Sequence, residues 1–339
     1  MFKKISLKIL LTFIMIISFN SEVFADTSIN VHKYVSNVSD INNTFYYDII
    51  PSNENPDSVT GLVSNFEIVF DENTEISNVT AHKEYTIDFS DVVFDKVGVY
   101  KFKVIERESE NEKVYPRDTN TYIVLVNVTH DVNSDNEPTN DLLVDVNPLA
   151  IHEESNSKSE VRFDTNPHTY LSLSKRVTGD MADSEKYFKF KIKITGGDYS
   201  ADGIKIVGQD EVINYEGQTI NTISTYDSNI DNYVYLKHGQ KITIGNDTEN
   251  NKYLLSGGTM FTIEEEGAQE YITYINGDRK DHKSITLNAV SNIDKNEAKY
   301  VNNYESTALT GVFVRIVPFV VLLIISIGSF ILVNKRVKE

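Results

Sequence analysis

The stretch Tyr100–Glu106, "YKFKVIE", alternates apolar and polar side chains with the period of a β-strand. Successive side chains of a strand point to opposite faces, so Glu106 falls on the same face as Phe102 and Val104. A carboxylate directed toward a core is costly unless it is protonated, paired or hydrogen-bonded. The stretch therefore predicts a half-buried strand that carries a buried acid with a specific partner.

The same alternation recurs along most of the chain, and segments rich in Asn, Asp, Ser and Gly, which favour turns, separate the alternating stretches. These stretches include "FYYDII" (45–50), "TYIVLVNV" (121–128), "YFKFKIKI" (187–194) and "MFTIEE" (260–265). No long segment between the two ends of the chain has the helical period. We therefore expect an all-β protein of two tandem Ig-like β-sandwich domains, residues 26–167 and 168–306.

Both ends of the chain carry targeting patterns. Residues 1–25 combine a basic start, an apolar run and small residues, which is typical of a secretory signal peptide. Residues 307–339 contain the apolar run Ile316–Val333, which is just long enough to cross a bilayer, and then a basic tail that favours the cytoplasmic side. These patterns predict an exported protein whose precursor is held at the membrane by its C-terminus.

The composition argues against several classes of site. The chain has no cysteine, so it can form neither a disulfide nor a thiolate metal site. Its formal net charge of −18 argues against nucleic-acid binding. The histidines show no recognised ligand spacing, and the acidic segment 131–141 matches no calcium-loop pattern. We therefore expect no metal and no cofactor.

The two halves of the chain repeat the same polar exceptions in the same order. Each half opens with a strand that places one lysine among aliphatic residues, Lys33 in "SINVHKYV" and Lys175 in "YLSLSKRV". Each half also has a later strand with a glutamate on its apolar face, Glu106 in the first half and Glu265 in the second. This repetition indicates that the four charged groups are buried in corresponding positions.

The last alternating segment of each half carries an amide, in "VRFDTN" (161–166) and in "AKYVNNY" (298–304), where Asn302 shares the apolar face. Burial lowers the pKa of an amine and raises that of a carboxyl group, so a buried lysine and glutamate can both be neutral. The amine can then attack the asparagine carbonyl while the acid shuttles the proton, which gives an isopeptide bond and ammonia. The alternative is an ordinary buried salt bridge, or a lysine that reaches water at an edge.

Several stretches resemble the major shaft pilins of Gram-positive sortase-assembled pili, of the streptococcal two-domain type. "FSDVVFDKVGVYKFKVIERE" (89–108) and "YPRDTNTYIVLVNV" (115–128) are similar to the N-terminal domain of that family. "LKHGQKITI" (236–244), "FTIEEE" (261–266) and "YVNNYE" (300–305) are similar to its C-terminal domain. The resemblance spans the whole region between the two targeting segments.

The resemblance implies roles for the buried residues. Lys33 and Lys175 would be the isopeptide lysines, Glu106 and Glu265 the catalytic acids, and Asn302 the acyl partner in the second domain. The first domain departs from the family pattern, which places asparagine two residues after the aromatic Phe163, where this chain has Thr165. We expect a bulge to turn Asn166 inward as the acyl partner, or alternatively Asp164 to react with loss of water.

The resemblance also implies an intermolecular linkage. Lys158 has the spacing of the family's linking lysine, five residues before the aromatic of the last strand of the first domain. The sorting motif would be "TALTG", cleaved after Thr310 although it lacks the usual proline; its residues are Thr307, Ala308, Leu309, Thr310 and Gly311.

The function implied is that of a non-enzymatic backbone subunit of a cell-wall-anchored pilus. Its partners would be a pilus sortase, identical subunits joined head to tail, ancillary pilins and peptidoglycan, with no nucleic acid. The alternative is an ancillary pilin or a monomeric wall-anchored adhesin that binds host matrix or glycans.

Overall fold

The computed structural model describes residues 26–133, 137–196, 204–208, 217–223, 232–305 and 319–327. The described residues divide into two compact units. The first consists of residues 26–36 and 40–166, and the second of residues 37–39 and the described residues from 167 onward.

The first unit is built from strands, most of them with regular alternation between buried and outward side chains. The strands are β1 (Ser28–Ser36), β2 (Asn43–Pro51), β3 (Val59–Thr60), β4 (Asn65–Phe70), β5 (Ile76–Ser77), β6 (Thr80–Asp88), β7 (Val93–Phe94), β8 (Gly98–Glu106), β9 (Thr121–Val132), β10 (Pro138–Val146), β11 (Ala150–His152), β12 (Ser157–Ser159) and β13 (Val161–Thr165).

Two sheets of the first unit enclose its core. One has the order β13-β1-β6-β5, and the other has the order β12-β11-β9-β8-β2-β4 with β10 added beside β9. Aromatic side chains join the inner faces: the Phe163 ring lies 5.1 Å from that of Tyr47 and 5.1 Å from that of Tyr122. In β8, Tyr100, Phe102 and Val104 are fully buried, and Glu106 is 4% exposed on the same face. The alternation of this stretch therefore predicted its burial correctly.

The second unit also consists mainly of strands, and its described part adds a short 3₁₀ helix, Ile293–Lys295, and the helical residues 319–327. The strands are β14 (His168–Thr169), β15 (Leu171–Thr178), β16 (Phe188–Thr195), β17 (Ile204–Gly208), β18 (Thr222–Ile223), β19 (Asn232–Leu236), β20 (Lys241–Ile244), β21 (Asn246–Asp247), β22 (Lys252–Tyr253), β23 (Leu255–Ser256), β24 (Met260–Glu266), β25 (Ile272–Ile275), β26 (Asp278–Arg279), β27 (Ser284–Asn288) and β28 (Glu297–Asn303).

The second unit repeats the plan of two facing sheets. Its larger sheet has the order β18-β17-β20-β15-β28-β25-β26, and its smaller sheet has the order β19-β16-β24-β27. The ring of Tyr300 on β28 contacts that of Phe190 on β16 at 5.0 Å, and the Tyr300 hydroxyl donates to the Ile263 carbonyl of β24 at 2.7 Å. The all-β prediction of two sandwich domains is confirmed.

In both units the first long strand lies parallel to the last. In the first unit β1 pairs with β13 in parallel and with β6 in antiparallel orientation. In the second unit β15 pairs with β28 in parallel and with β20 in antiparallel orientation. A parallel pair of terminal strands places residues from both ends of a domain on one inner face, where they can meet.

The targeting segments lie largely outside this description. Residues 1–25, 306–318 and 328–339, and with them the predicted signal peptide and the "TALTG" motif, are outside the described residues. Residues 319–327 of the predicted apolar span are helical, and their side chains are exposed. Among the described residues, no helix has the length and apolar character needed to cross a membrane.

Candidate functional site

The inner face of the second unit brings together Lys175, Glu265 and Asn302. Lys175 comes from β15 and Asn302 from the neighbouring β28, whereas Glu265 comes from β24 of the opposite sheet. Lys175 is 2% exposed, Asn302 is 0% exposed and Glu265 is 3% exposed. Each lies at an inward position of an alternating strand, so the three predicted residues do converge in the core.

A single carboxylate oxygen connects the three side chains. Oε1 of Glu265 accepts a hydrogen bond from Nζ of Lys175 and another, at 2.8 Å, from Nδ2 of Asn302. The hydroxyl of Thr273, on β25, donates to Oδ1 of Asn302 at 3.0 Å. The amide is therefore held at both ends, with its nitrogen toward the acid and its carbonyl oxygen toward a hydroxyl donor.

Burial disfavours the charged form of Lys175, whereas two neighbouring aromatic rings and Glu265 partly stabilise it. Its Nζ lies 4.1 Å from the ring centre of Phe188 and 5.8 Å from that of Phe190. Burial lowers the pKa of Lys175 to about 8, although the adjacent Glu265 acts in the opposite direction. A lowered pKa increases the share of neutral amine, and a neutral amine is a nucleophile.

This arrangement has the components needed for amide exchange. The Lys175 nitrogen can form a bond to the Asn302 side-chain carbonyl carbon while the bond from that carbon to Nδ2 breaks. The proton lost by the amine reaches Nδ2 through the Glu265 carboxyl group, which touches both nitrogens, and ammonia leaves. The hydroxyl of Thr273 can stabilise the oxygen on which negative charge develops.

The first unit has a similar cluster with a different third member. Nζ of Lys33 donates to Oε2 of Glu106 at 2.7 Å and to Oγ1 of Thr165 at 2.7 Å. Oγ1 of Thr165 in turn donates to the carbonyl of Pro116 at 3.1 Å. Lys33, Glu106 and Thr165 are 0%, 4% and 3% exposed. Burial lowers the pKa of Lys33 and raises that of Glu106 to about 7.

The strand register shows that Thr165 occupies the position of Asn302. Lys33 is paired with Phe163, and Thr165 follows that aromatic by two residues. Lys175 is paired with Tyr300, and Asn302 follows that aromatic by two residues. Threonine has no acyl carbon, so it cannot replace the asparagine in amide exchange.

The predicted acyl partners of Lys33 are not at the cluster. Strand β13 alternates regularly and ends at Thr165, so the bulge expected to turn Asn166 inward does not form, and Asn166 is partly exposed beyond the strand. Asp164 faces outward, where Arg162 Nε contacts its carboxylate at 2.9 Å. The reason is the two-residue period of a strand: because Thr165 faces inward, its neighbours Asp164 and Asn166 do not.

The predicted linking residue, Lys158, lies in the short strand β12 and is exposed. This strand is the edge of the larger sheet in the first unit, paired only with β11 in the described part of the chain. The amine is thus accessible from solvent. Its predicted partner, Thr310, lies outside the described residues together with the other positions of the motif.

Two threonines in the clusters were missed by the sequence reasoning. Thr165 and Thr273 both lie at inward positions of alternating strands and are at most 3% exposed. The available signal was the one that identified Glu106, namely a polar residue on an apolar face. Threonine is common in strands for its shape alone, so this signal is weak for threonine.

Comparisons with known proteins show that this chain is similar to pilins. The chain is 25% identical over 265 residues to a pilin of Streptococcus pyogenes serotype M1, an alignment that covers 75% of this chain and 72% of the relative. The resemblance to the streptococcal pilins is confirmed. In addition, residues 169–304 match a family described as a domain of unknown function (DUF7601), and the match includes every strand of the second unit from β15 to β28.

Solved structures of similar proteins include pilus components. The major pilin from Streptococcus pyogenes aligns with a TM-score of 0.37 and 19% identity over 82% of this chain and 98% of that chain. A pilus-presented adhesin aligns with a TM-score of 0.31 and 10% identity over 83% of this chain and 100% of that chain.

Substitutions of Lys33 and Glu106 test whether the first cluster is a non-covalent ion pair. We expect Lys33→Met and Glu106→Leu each to destabilise the first unit by about 3–5 kcal/mol, because each leaves a buried charge without its partner. The double variant should lose much less, because it removes both charges together. Calorimetric unfolding of residues 26–306 measures these changes.

The exposed pair Arg162 and Asp164 is the matched control, since a surface pair contributes at most about 1 kcal/mol. Equal losses in the single and double variants of the buried pair would contradict the expectation, because removing both charges together would then give no relief. That result is expected if each substitution abolished a covalent bond of Lys33 that requires Glu106.

Proposed function

We propose that the protein is a structural subunit of a cell-surface pilus, whose second domain is closed by an isopeptide bond between Lys175 and Asn302. The observation that carries the proposal is the shared oxygen of Glu265, which binds both the amine and the amide that would react. The similarity to a streptococcal pilin supports the structural role. The self-cross-linking step occurs once per molecule, so the protein is not an enzyme.

The proposal contains one internal bond and not the two that the sequence predicted. In the first domain Lys33 is held by Glu106 and Thr165, and threonine supplies no carbonyl for the amine to attack. We therefore take this cluster to be a buried ion pair completed by a hydroxyl group. The two domains would share a fold and a lysine–glutamate pair while differing in covalent closure.

The polymer would be assembled by a pilus sortase at the cell surface. The sortase would cleave after Thr310 and join its carboxyl group to Nζ of Lys158 in another subunit, with further partners in ancillary pilins and peptidoglycan. The exposed position of Lys158 on an edge strand is compatible with enzymatic access. The signal peptide and the C-terminal segment would deliver the precursor to the outer face of the membrane.

A second candidate function is that of a pilus-associated or wall-anchored adhesin. A pilus-presented adhesin is among the similar solved structures. An adhesin would share the sandwich domains and the internal bond, so only polymerisation separates the two functions.

The internal bond changes the mass of the protein. We expect residues 26–306 to weigh less than the sequence mass by one ammonia molecule, because one amide exchange takes place. Asn302→Ala and Glu265→Ala should each restore the sequence mass, and a tandem mass spectrum should join the peptides that contain Lys175 and Asn302. A deficit of two ammonia molecules would show that Lys33 also reacts, and no deficit would reject the proposed bond.

The first domain should accept a bond when it is given an amide. We expect Thr165→Asn to produce a second ammonia loss, because position 165 has the register of Asn302 relative to the lysine. Thr165→Val is the matched control, since valine has nearly the shape of threonine and no amide. Adding Glu106→Gln to the asparagine variant should block the second loss. A folded Thr165→Asn protein with only one ammonia lost would show that register alone is insufficient.

Polymerisation depends on a single lysine in this proposal. In cells that express the protein with its own sortase, we expect Lys158→Arg to abolish the detergent-resistant ladder on immunoblots, because arginine keeps the charge but is not a nucleophile. Lys252→Arg is the control, since Lys252 is also exposed and lies in a short strand. A ladder that survives Lys158→Arg would assign the linkage to another lysine, and the absence of a ladder from the unmodified protein would favour the adhesin.

A further inference from the structure

The outer face of the small sheet in the first unit carries a cluster of two histidines and a glutamate. His32 lies on β1, and His82 and Glu84 lie on the antiparallel neighbour β6. The register pairs His32 with Glu84 and Tyr34 with His82, so the three side chains are direct or diagonal neighbours on one face. Lys33 points to the opposite face, into the core, so this cluster is separate from the cross-linking residues.

The donor atoms of this cluster converge. Nδ1 of His32 lies 3.3 Å from Nε2 of His82 and 3.5 Å from Oε2 of Glu84, and the three potential ligand atoms all lie within 4.8 Å of one another. In a tetrahedral zinc site with bonds of about 2.0–2.1 Å, neighbouring ligand atoms are about 3.4 Å apart. The two distances from Nδ1 of His32 therefore match the edges of such a site.

A single two-centre hydrogen bond does not satisfy all three of these atoms. Nδ1 of His32 faces a histidine nitrogen and a carboxylate oxygen, but an imidazole nitrogen carries at most one hydrogen. That nitrogen can therefore donate to only one of its two neighbours at a time. A bound cation would satisfy all three atoms at once.

Neighbouring side chains help to orient the ligands. The Tyr34 ring stacks on the His82 ring with centroids 4.2 Å apart, and the Arg162 guanidinium lies 4.2 Å from the centre of the Tyr34 ring. The positive charge of Arg162 is compensated by Asp164, which accepts hydrogen bonds from its Nε and its Nη2 at 2.9 Å. The stacking restricts the His82 ring, and the ion pair reduces the repulsion that a cation would meet.

We propose that His32, His82 and Glu84 form a binding site for a divalent transition-metal ion, with zinc as the metal that best suits two imidazoles and one carboxylate. Three protein ligands leave one coordination position open to water or to a group from another molecule. Cobalt, nickel and copper ions would bind to the same donors, because imidazole ligands accept all of them. The proposal does not depend on the pilus function or on the isopeptide bond.

Titration calorimetry of the purified protein with zinc chloride tests the site. We expect one equivalent of zinc per chain, and His82→Gln should lower the affinity at least about tenfold because one ligand is lost. Glu84→Gln should also lower it. His130→Gln is the matched control, since His130 is exposed on β9 of the same unit and belongs to neither the site nor the core. The affinity of the His130→Gln variant for zinc should equal that of the parent protein.

The coordination geometry is tested with cobalt, whose visible absorption is much stronger in tetrahedral than in octahedral sites. We expect an intense visible band from one equivalent of cobalt, bleached by zinc and absent from His82→Gln. Zinc binding that is unaffected by His82→Gln and Glu84→Gln would overturn the proposal, as would the absence of stoichiometric binding. Since all three positions face outward, the variants should keep the unfolding temperature of the parent protein, which calorimetry checks independently.

Discussion

Each domain is organised around an amine that has been taken out of water. A buried ammonium group requires a counter-charge within hydrogen-bonding distance, and in both domains the carboxylate comes from the opposite sheet. The lysine of the first strand therefore fixes how the two sheets face each other at that point. The remaining core, made of aromatic and aliphatic side chains, can adapt its packing more readily than an ion pair, which has only one satisfactory geometry.

In each domain the buried lysine pairs with an aromatic residue of the last strand, Phe163 or Tyr300. The residue two positions after that aromatic decides the chemistry of the cluster. In the second domain it is Asn302, whose amide nitrogen touches the same oxygen as the lysine. In the first domain it is Thr165, which completes the hydrogen bonding of the lysine and ends the network at the Pro116 carbonyl. In our proposal, one side chain thus separates a cluster that becomes covalent from one that stays an ion pair, although the register of the lysine against the last strand is the same and all of these residues are buried.

The period of two in the strands made much of this visible in advance. It placed Lys33, Glu106, Lys175, Glu265 and Asn302 on inner faces, and all five are at most 4% exposed. The alternation could not identify the third residue of the Lys33 cluster. A bulge would turn Asn166 to the inner face, and no local sequence pattern shows whether a bulge forms. The contact between His32 and His82 was also hidden, since 50 residues separate them and only the register of β1 against β6 brings them together.

The path of tension through the proposed polymer explains why the two domains can differ. Load would enter a subunit at Lys158 and leave at Thr310, so in the first domain it would cross only residues 158–166, which include β13. Strand β1, which carries Lys33, lies outside this path. In the second domain the load would enter before β15 and leave after β28, and a bond between Lys175 and Asn302 would carry it across the pair without unfolding the sheet. In the proposed polymer a covalent tie would therefore be needed mechanically in the second domain, whereas hydrogen bonds and an ion pair would suffice in the first.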